Sequence, residues 1–157
     1  MSRIEKELAG LGMSLPEPRV PAFEYVAVAV HADTAYVSGQ LPWRDGSDLI
    51  AGKLGAQVSL EQGAEAARLC ILHGLAVLKA ALGDLDRIER IVKLTGFVAS
   101  APGFVEQPKV IDAASRLLGQ LMGAHGRHAR SAVGVAELPR GAAVEIEMVV
   151  ALRSQTR

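Results

Sequence analysis

The chain has 157 residues, half of them hydrophobic, with 17 basic and 17 acidic side chains that balance to zero formal charge, and only 4% aromatics. That length is close to the mode for one domain, and the composition excludes a mostly disordered chain. The neutral balance excludes the long-range positive field with which general nucleic-acid binders gather phosphates, and so few rings leave little stacking surface for single strands.

Taken in order, Ile4, Leu8 and Leu11 recur at helical spacing before Gly12, and Pro16, Pro18 and Pro21 then enforce extended chain. Residues 1–21 therefore read as a short docking helix and an arm, and residues 22–157 as a single domain. Tyr25 to Val30 and Thr34 to Ser38 read as a hairpin turning at His31 to Asp33. Leu41 to Gln57 holds Pro42, Asp45, Gly46, Asp48, Gly52 and Gly55, too much turn chemistry for a regular element.

Ser59 and Gln62 form a capping-box pattern ahead of Ala64, Ala67, Ile71, Leu75, Leu78 and Leu82, which predicts a long helix ending near Gly83. The later part of Arg87 to Ala99 is expected to be a strand. A second long helix starts near Pro108, presents Ile111, Ala114, Leu118 and Leu121, and stops at Gly123. Ser131 to Glu137 and Ala143 to Leu152 close the chain as strands.

The order β-β-α-β-α-β-β predicts an α+β fold, a mixed sheet covered on one face by two long helices. Its other face is left to be buried by something outside the domain, and the neutral, aliphatic composition suggests another subunit. No apolar run approaches the ~20 residues of a membrane span, the first residues do not form a signal core, and Cys70 has no disulfide partner, so the cytosol is the expected compartment.

Among residues able to carry chemistry, Arg130 opens the penultimate strand, where its planar, permanently charged fork could hold a carboxylate at a pocket rim. By spacing alone, a surface arginine paired to a neighbouring acid is the favoured reading. Glu145 and Glu147 alternate with Val144, Ile146 and Met148, so both carboxylates point to one face, ordinarily the solvated one. The Leu138-Pro139-Arg140-Gly141 turn makes the strands of Arg130 and Glu145 expected antiparallel neighbours sharing a site. Tyr25 can form a pocket wall, and Ser38-Gly39 permits close backbone approach to a ligand or a sharp bend. His73 reads as a core or interface histidine, and Cys70, set in an apolar run, as an inert packed thiol. His125 and His128 lack a partner at metal-ligand spacing, so no metal is expected.

Val37-Ser38-Gly39-Gln40-Leu41-Pro42, Ala129-Arg130-Ser131-Ala132-Val133-Gly134-Val135, Leu138-Pro139 and Val144-Glu145-Ile146-Glu147 together resemble the Rid/YjgF family, also called reactive intermediate deaminase, endoribonuclease L-PSP or chorismate-mutase-like. The resemblance runs from about Tyr25 to Leu152. It implies a chorismate-mutase-like α+β domain and a homotrimer whose sheets pack into a central barrel, with pockets at the subunit interfaces. For the deaminase members it implies that Arg130 binds the carboxylate of a 2-imino acid. It likewise implies that Glu145 positions or activates a water and that Tyr25, Ser38, Gly39 and Ser131 line the pocket, with no cofactor. Ala132 stands where many relatives carry cysteine, and Gly134 where glutamate is common, which marks a divergent branch. The leading expectation is hydrolytic deamination of 2-imino acids or enamines. The alternatives are a non-catalytic trimer that binds small carboxylates, a ribonuclease that the neutral charge disfavours, and a chorismate mutase resting on fold analogy alone.

Overall fold

The computed structural model describes residues 1–44 and 46–154, so Asp45, one of the expected loop-turn residues, lies outside the described residues. Helix α1 spans Arg3–Gly10, capped by Ser2: its hydroxyl accepts from the Glu5 N–H while the Glu5 carboxylate accepts from the Ser2 N–H. Ile4 and Leu8 are buried and join the main core, whereas Leu11 is exposed, so two of the three expected anchors dock the helix.

The hairpin forms between β1 (Val28–His31) and β2 (Thr34–Gln40), with Ala32 taking a positive φ of 50° in the turn. Its first strand starts later than expected. Tyr25 lies outside it because its N–H closes a tight turn on the Phe23 carbonyl at 2.8 Å in place of a ladder bond. Helix α2 spans Leu60–Leu82 and has the expected capping box, the Ser59 hydroxyl accepting from the Gln62 N–H at 3.1 Å. Ser59→Ala is expected to destabilise the fold by about 1 kcal/mol, read as a lowered urea midpoint with an unchanged slope. No helix among the described residues is long and apolar enough to cross a membrane.

Strand β3 takes the whole of Ile88–Ala99 rather than its later part. Register shifts between Ile88 and Arg90 and between Ile91 and Lys93 break the two-residue period where it would otherwise have been legible. Helix α3 spans Gln107–Met122, β4 Ala129–Val135 and β5 Val144–Leu152. The five strands form one sheet in the order β1-β2-β5-β3-β4, with β3 and β4 parallel and every other pair antiparallel.

This order corrects the expected pairing of the Arg130 and Glu145 strands: β4 and β5 are not neighbours, because β3 lies between them. The cause is the α3 crossover. A helix between two strands returns the chain to the end from which it started, so β4 runs parallel beside β3 at the sheet edge. Strand β5 then pairs between β2 and β3, antiparallel to both. Its Val144, Ile146, Met148, Val150 and Leu152 are buried under the helices, α2 lying over β2 and β5 and α3 over β3 and β4. Glu145, Glu147 and Val149 face the opposite side, with Phe97, Tyr36 and Val133 in register on the neighbouring strands. Tyr36 and Val133 are large side chains left about half exposed there, at 49% and 42%.

Candidate active site

Glu145 sits on the open face of β5, and its Oε1 lies only 1.9 Å from where a Cβ on Gly39 would stand. The absence of a side chain at Gly39 therefore makes the room this carboxylate occupies. Burial holds the Glu145 carboxyl above its ordinary value, and the like charge of Glu147, two residues along on the same face, adds to the effect. Gly39→Ala is expected to leave the fold nearly as stable, since only the end of a flexible side chain must move. It should displace that carboxylate, read as a changed Glu145 titration by NMR.

Gly39 also lines a cleft of about 360 Å³ bordered by Tyr25, Phe23, Trp43, Arg19 and Arg140. Three of the six aromatic side chains in the sequence thus meet at one place. Both guanidiniums stand over the Trp43 indole, Arg19 at 4.0 Å and Arg140 at 5.7 Å from the ring centroid. Trp43 is held from behind by its carbonyl, which lies 3.0 Å from Nε2 of the buried His73. The lone-residue patterns around Trp43 and Arg19 gave no sequence signal, because the contacts come from separate loops folding over one another.

Arg130 points the other way. It pairs in register with Leu94 on the helix-facing side of the sheet, where its Nη1 donates to the Ser115 hydroxyl of α3 at 3.1 Å and its Nη2 to the Pro108 carbonyl at 3.4 Å. Asp112 approaches Nη1 only to 3.7 Å, its other oxygen being held by Arg116 at 2.7 Å. The Arg130 side chain is 24% exposed, so its positive charge is partly desolvated at an edge strand, with Asp112 as a long ion-pair partner. Beside it, the Ser115 hydroxyl lies 3.0 Å from His128 Nε2, and His128 Nδ1 lies 2.7 Å from the Gly126 carbonyl.

The expected site residues therefore fall into separate groups within one chain. Gly39 adjoins both Glu145 and the cleft that Tyr25 borders, whereas Arg130 is two strand spacings from Glu145, about 10 Å laterally, and on the opposite face. Ser131, next in sequence, alternates to the open face and accepts from Lys93 Nζ at 3.1 Å. The Ser38 hydroxyl donates to the Val26 carbonyl at 2.7 Å and ties β2 to the chain before β1. Cys70 is buried against the Val144 carbonyl, and burial pushes its thiol well above the ordinary range. Among the described residues, no three His, Cys, Asp or Glu side chains come close enough to hold a metal ion.

Comparison with known proteins gives consistent matches. The sequence profile of the family described as "YjgF/chorismate_mutase-like, putative endoribonuclease" matches residues 5–149. The protein TCP17 of Trypanosoma cruzi is 46% identical over 97% of this chain and 96% of its own. Among solved structures, Atu1372 of Agrobacterium tumefaciens, of unknown function, is 46% identical with a TM-score of 0.88, covering 96% of this chain and 94% of its own. A Shewanella oneidensis MR-1 protein carrying the endoribonuclease label is 32% identical with a TM-score of 0.91, covering 95% of this chain and 99% of its own.

Proposed function

This chain belongs to the YjgF/chorismate-mutase-like family, and from that premise we propose that it is a cofactor-free deaminase that hydrolyses 2-imino acids to 2-keto acids and ammonia in pockets shared between subunits of a homotrimer. The observation that carries the reading is the placement of Arg130 and Glu145 on opposite faces of one sheet, Arg130 at its edge. One chain cannot bring the two groups onto one small substrate, but the edge of one subunit laid against the open face of the next can. The half-exposed Tyr36 and Val133 on that face supply apolar surface for such packing.

In such a pocket the Arg130 guanidinium holds the substrate carboxylate and fixes the imine carbon beside Glu145 of the adjoining subunit. Glu145 takes a proton from water as the oxygen bonds to that carbon, giving a carbinolamine. It then returns the proton to the nitrogen, and the C–N bond breaks to release ammonia as the carbinol O–H proton passes to solvent and leaves the keto group. The imine nitrogen gains its one remaining proton from solvent, and nothing is oxidised or reduced. A carboxyl raised above its ordinary value is better matched to this double duty near neutrality than an unperturbed one.

The test is to generate imines in place with an amino-acid oxidase and follow keto-acid release. Release faster than the spontaneous rate supports the proposal, and a spontaneous rate for every amino acid tried overturns it. A small-carboxylate-binding regulatory trimer is favoured instead if pyruvate binds at Arg130 and no imine is turned over. RNA cleavage, named in the family description, would need a track of positive charge, whereas this chain is neutral and two cations of its helical face, Lys109 and Arg116, are paired with Glu106 and Asp112.

A further inference from the structure

We propose that Ser115 and His128 are positioning residues that set the orientation of the Arg130 guanidinium for carboxylate capture. This inference rests on the reading of Arg130 as the carboxylate-binding group. A serine in the middle of α3 is not placed there by helix propensity, since its hydroxyl competes with the backbone. Its partners explain the position. His128 immediately precedes β4 and Arg130 is the second residue of that strand, and the side chains of both meet Ser115 of α3.

The hydrogen positions in this chain of contacts follow from chemistry. The Gly126 carbonyl can only accept, so His128 Nδ1 carries the proton in the 2.7 Å contact between them. In the neutral imidazole Nε2 is then a bare acceptor, and the Ser115 hydroxyl donates to it at 3.0 Å. That turns the serine oxygen's lone pairs to Arg130, which donates from Nη1 at 3.1 Å. Burial, with Arg130 adding to it, holds His128 below its ordinary value, which keeps the ring in the neutral form that accepts. The charged groups facing this cluster are Arg130 from β4 and Asp112 from α3, the latter shared between Arg116 at 2.7 Å and Arg130 at 3.7 Å.

The far end of the relay is rigid. A Cβ on Gly126 would lie 2.1 Å from the Leu118 carbonyl oxygen, so the 3-10 turn carrying the Gly126 carbonyl is pressed against α3 itself. Ser115 takes a donor of Nη1 and the Pro108 carbonyl one of Nη2, leaving the remaining N–H donors of the guanidinium to a ligand. A guanidinium steered this way meets a carboxylate without first losing its own rotamer freedom.

The experiment titrates pyruvate into the intact protein by calorimetry, alongside KM and kcat on oxidase-generated imines and a thermal melt of each variant. Ser115→Ala and His128→Ala are expected to weaken pyruvate binding and raise KM about tenfold. The kcat and the melting temperature should stay close to those of the parent, because the carboxylate is held alike in ground and transition states. Ser115→Thr, which keeps the hydroxyl, is expected to restore binding. Parent-like binding by Ser115→Ala, or failure of Ser115→Thr to restore it, overturns the relay. In that case, loss of binding in Arg130→Ala leaves the capture role of Arg130 standing. Parent-like pyruvate binding by Arg130→Ala overturns both readings together.

Discussion

Arg130→Ala is expected to lower kcat/KM for 2-imino acids by 10²-fold or more, and pyruvate binding with it. A charge-assisted contact to a carboxylate is worth about 3 kcal/mol, and each 1.4 kcal/mol is about tenfold in rate. Arg130→Lys should recover little, since a lysine cannot reproduce a paired planar fork or reach the Ser115 hydroxyl with the same geometry. A sharper result comes from mixing. Because Arg130 and Glu145 lie on opposite faces of one sheet, each pocket of the proposed trimer takes one from each of two subunits. Arg130→Ala and Glu145→Gln chains, unfolded together in equal amounts and refolded, are then expected to regain about a quarter of parent activity, the chance that both contributors to a pocket are intact. Each variant refolded alone should stay inactive. Recovery indistinguishable from zero, in assemblies shown to be mixed, would remove the shared pocket.

Glu145→Gln is expected to cost about 10²-fold in kcat with much less change in pyruvate affinity, since the amide cannot exchange the proton while the carboxylate clamp remains. The pH dependence tests the same assignment. Glu145 works as a base only when ionised, and burial with Glu147 raises its value, so activity should rise with pH through a limb lying above the ordinary 4.5. Glu147→Gln removes the like charge and should move that limb to lower pH, leaving the burial contribution in place. Stability runs the opposite way. A carboxyl raised in the folded state contributes stability below the unfolded value, and that contribution is lost as pH rises through the folded value. At neutral pH, Glu145→Gln should therefore melt slightly higher than the parent while being far less active, and an acid limb unmoved by Glu147→Gln would assign the ionisation to another group.

Much of the fold was legible because its causes are local. Ser59 and Gln62 predict the start of α2, Gly123 the end of α3, and the alternation of Val144, Ile146 and Met148 with Glu145 and Glu147 predicts which side of β5 is buried. Where local pattern failed, a non-local contact had changed the phase: register shifts disguise the start of β3, and the turn at Phe23 takes Tyr25 out of the first strand. The Ser115–His128 pairing was not visible, because a helix residue 13 positions before His128 cannot be matched to it by spacing.

By itself the sequence determined the element types and their order, the apolar face of each, the family motifs that mark Arg130 and Glu145, and a formal net charge of zero. Only the tertiary structure decided that β3 separates β4 from β5, and with it that Arg130 and Glu145 lie on opposite sides of the sheet. The reason is physical. Side-chain alternation is set residue by residue along one strand, whereas the order of strands is set by how the α3 crossover and the pairing of β5 with two distant partners satisfy backbone hydrogen bonds across the whole sheet.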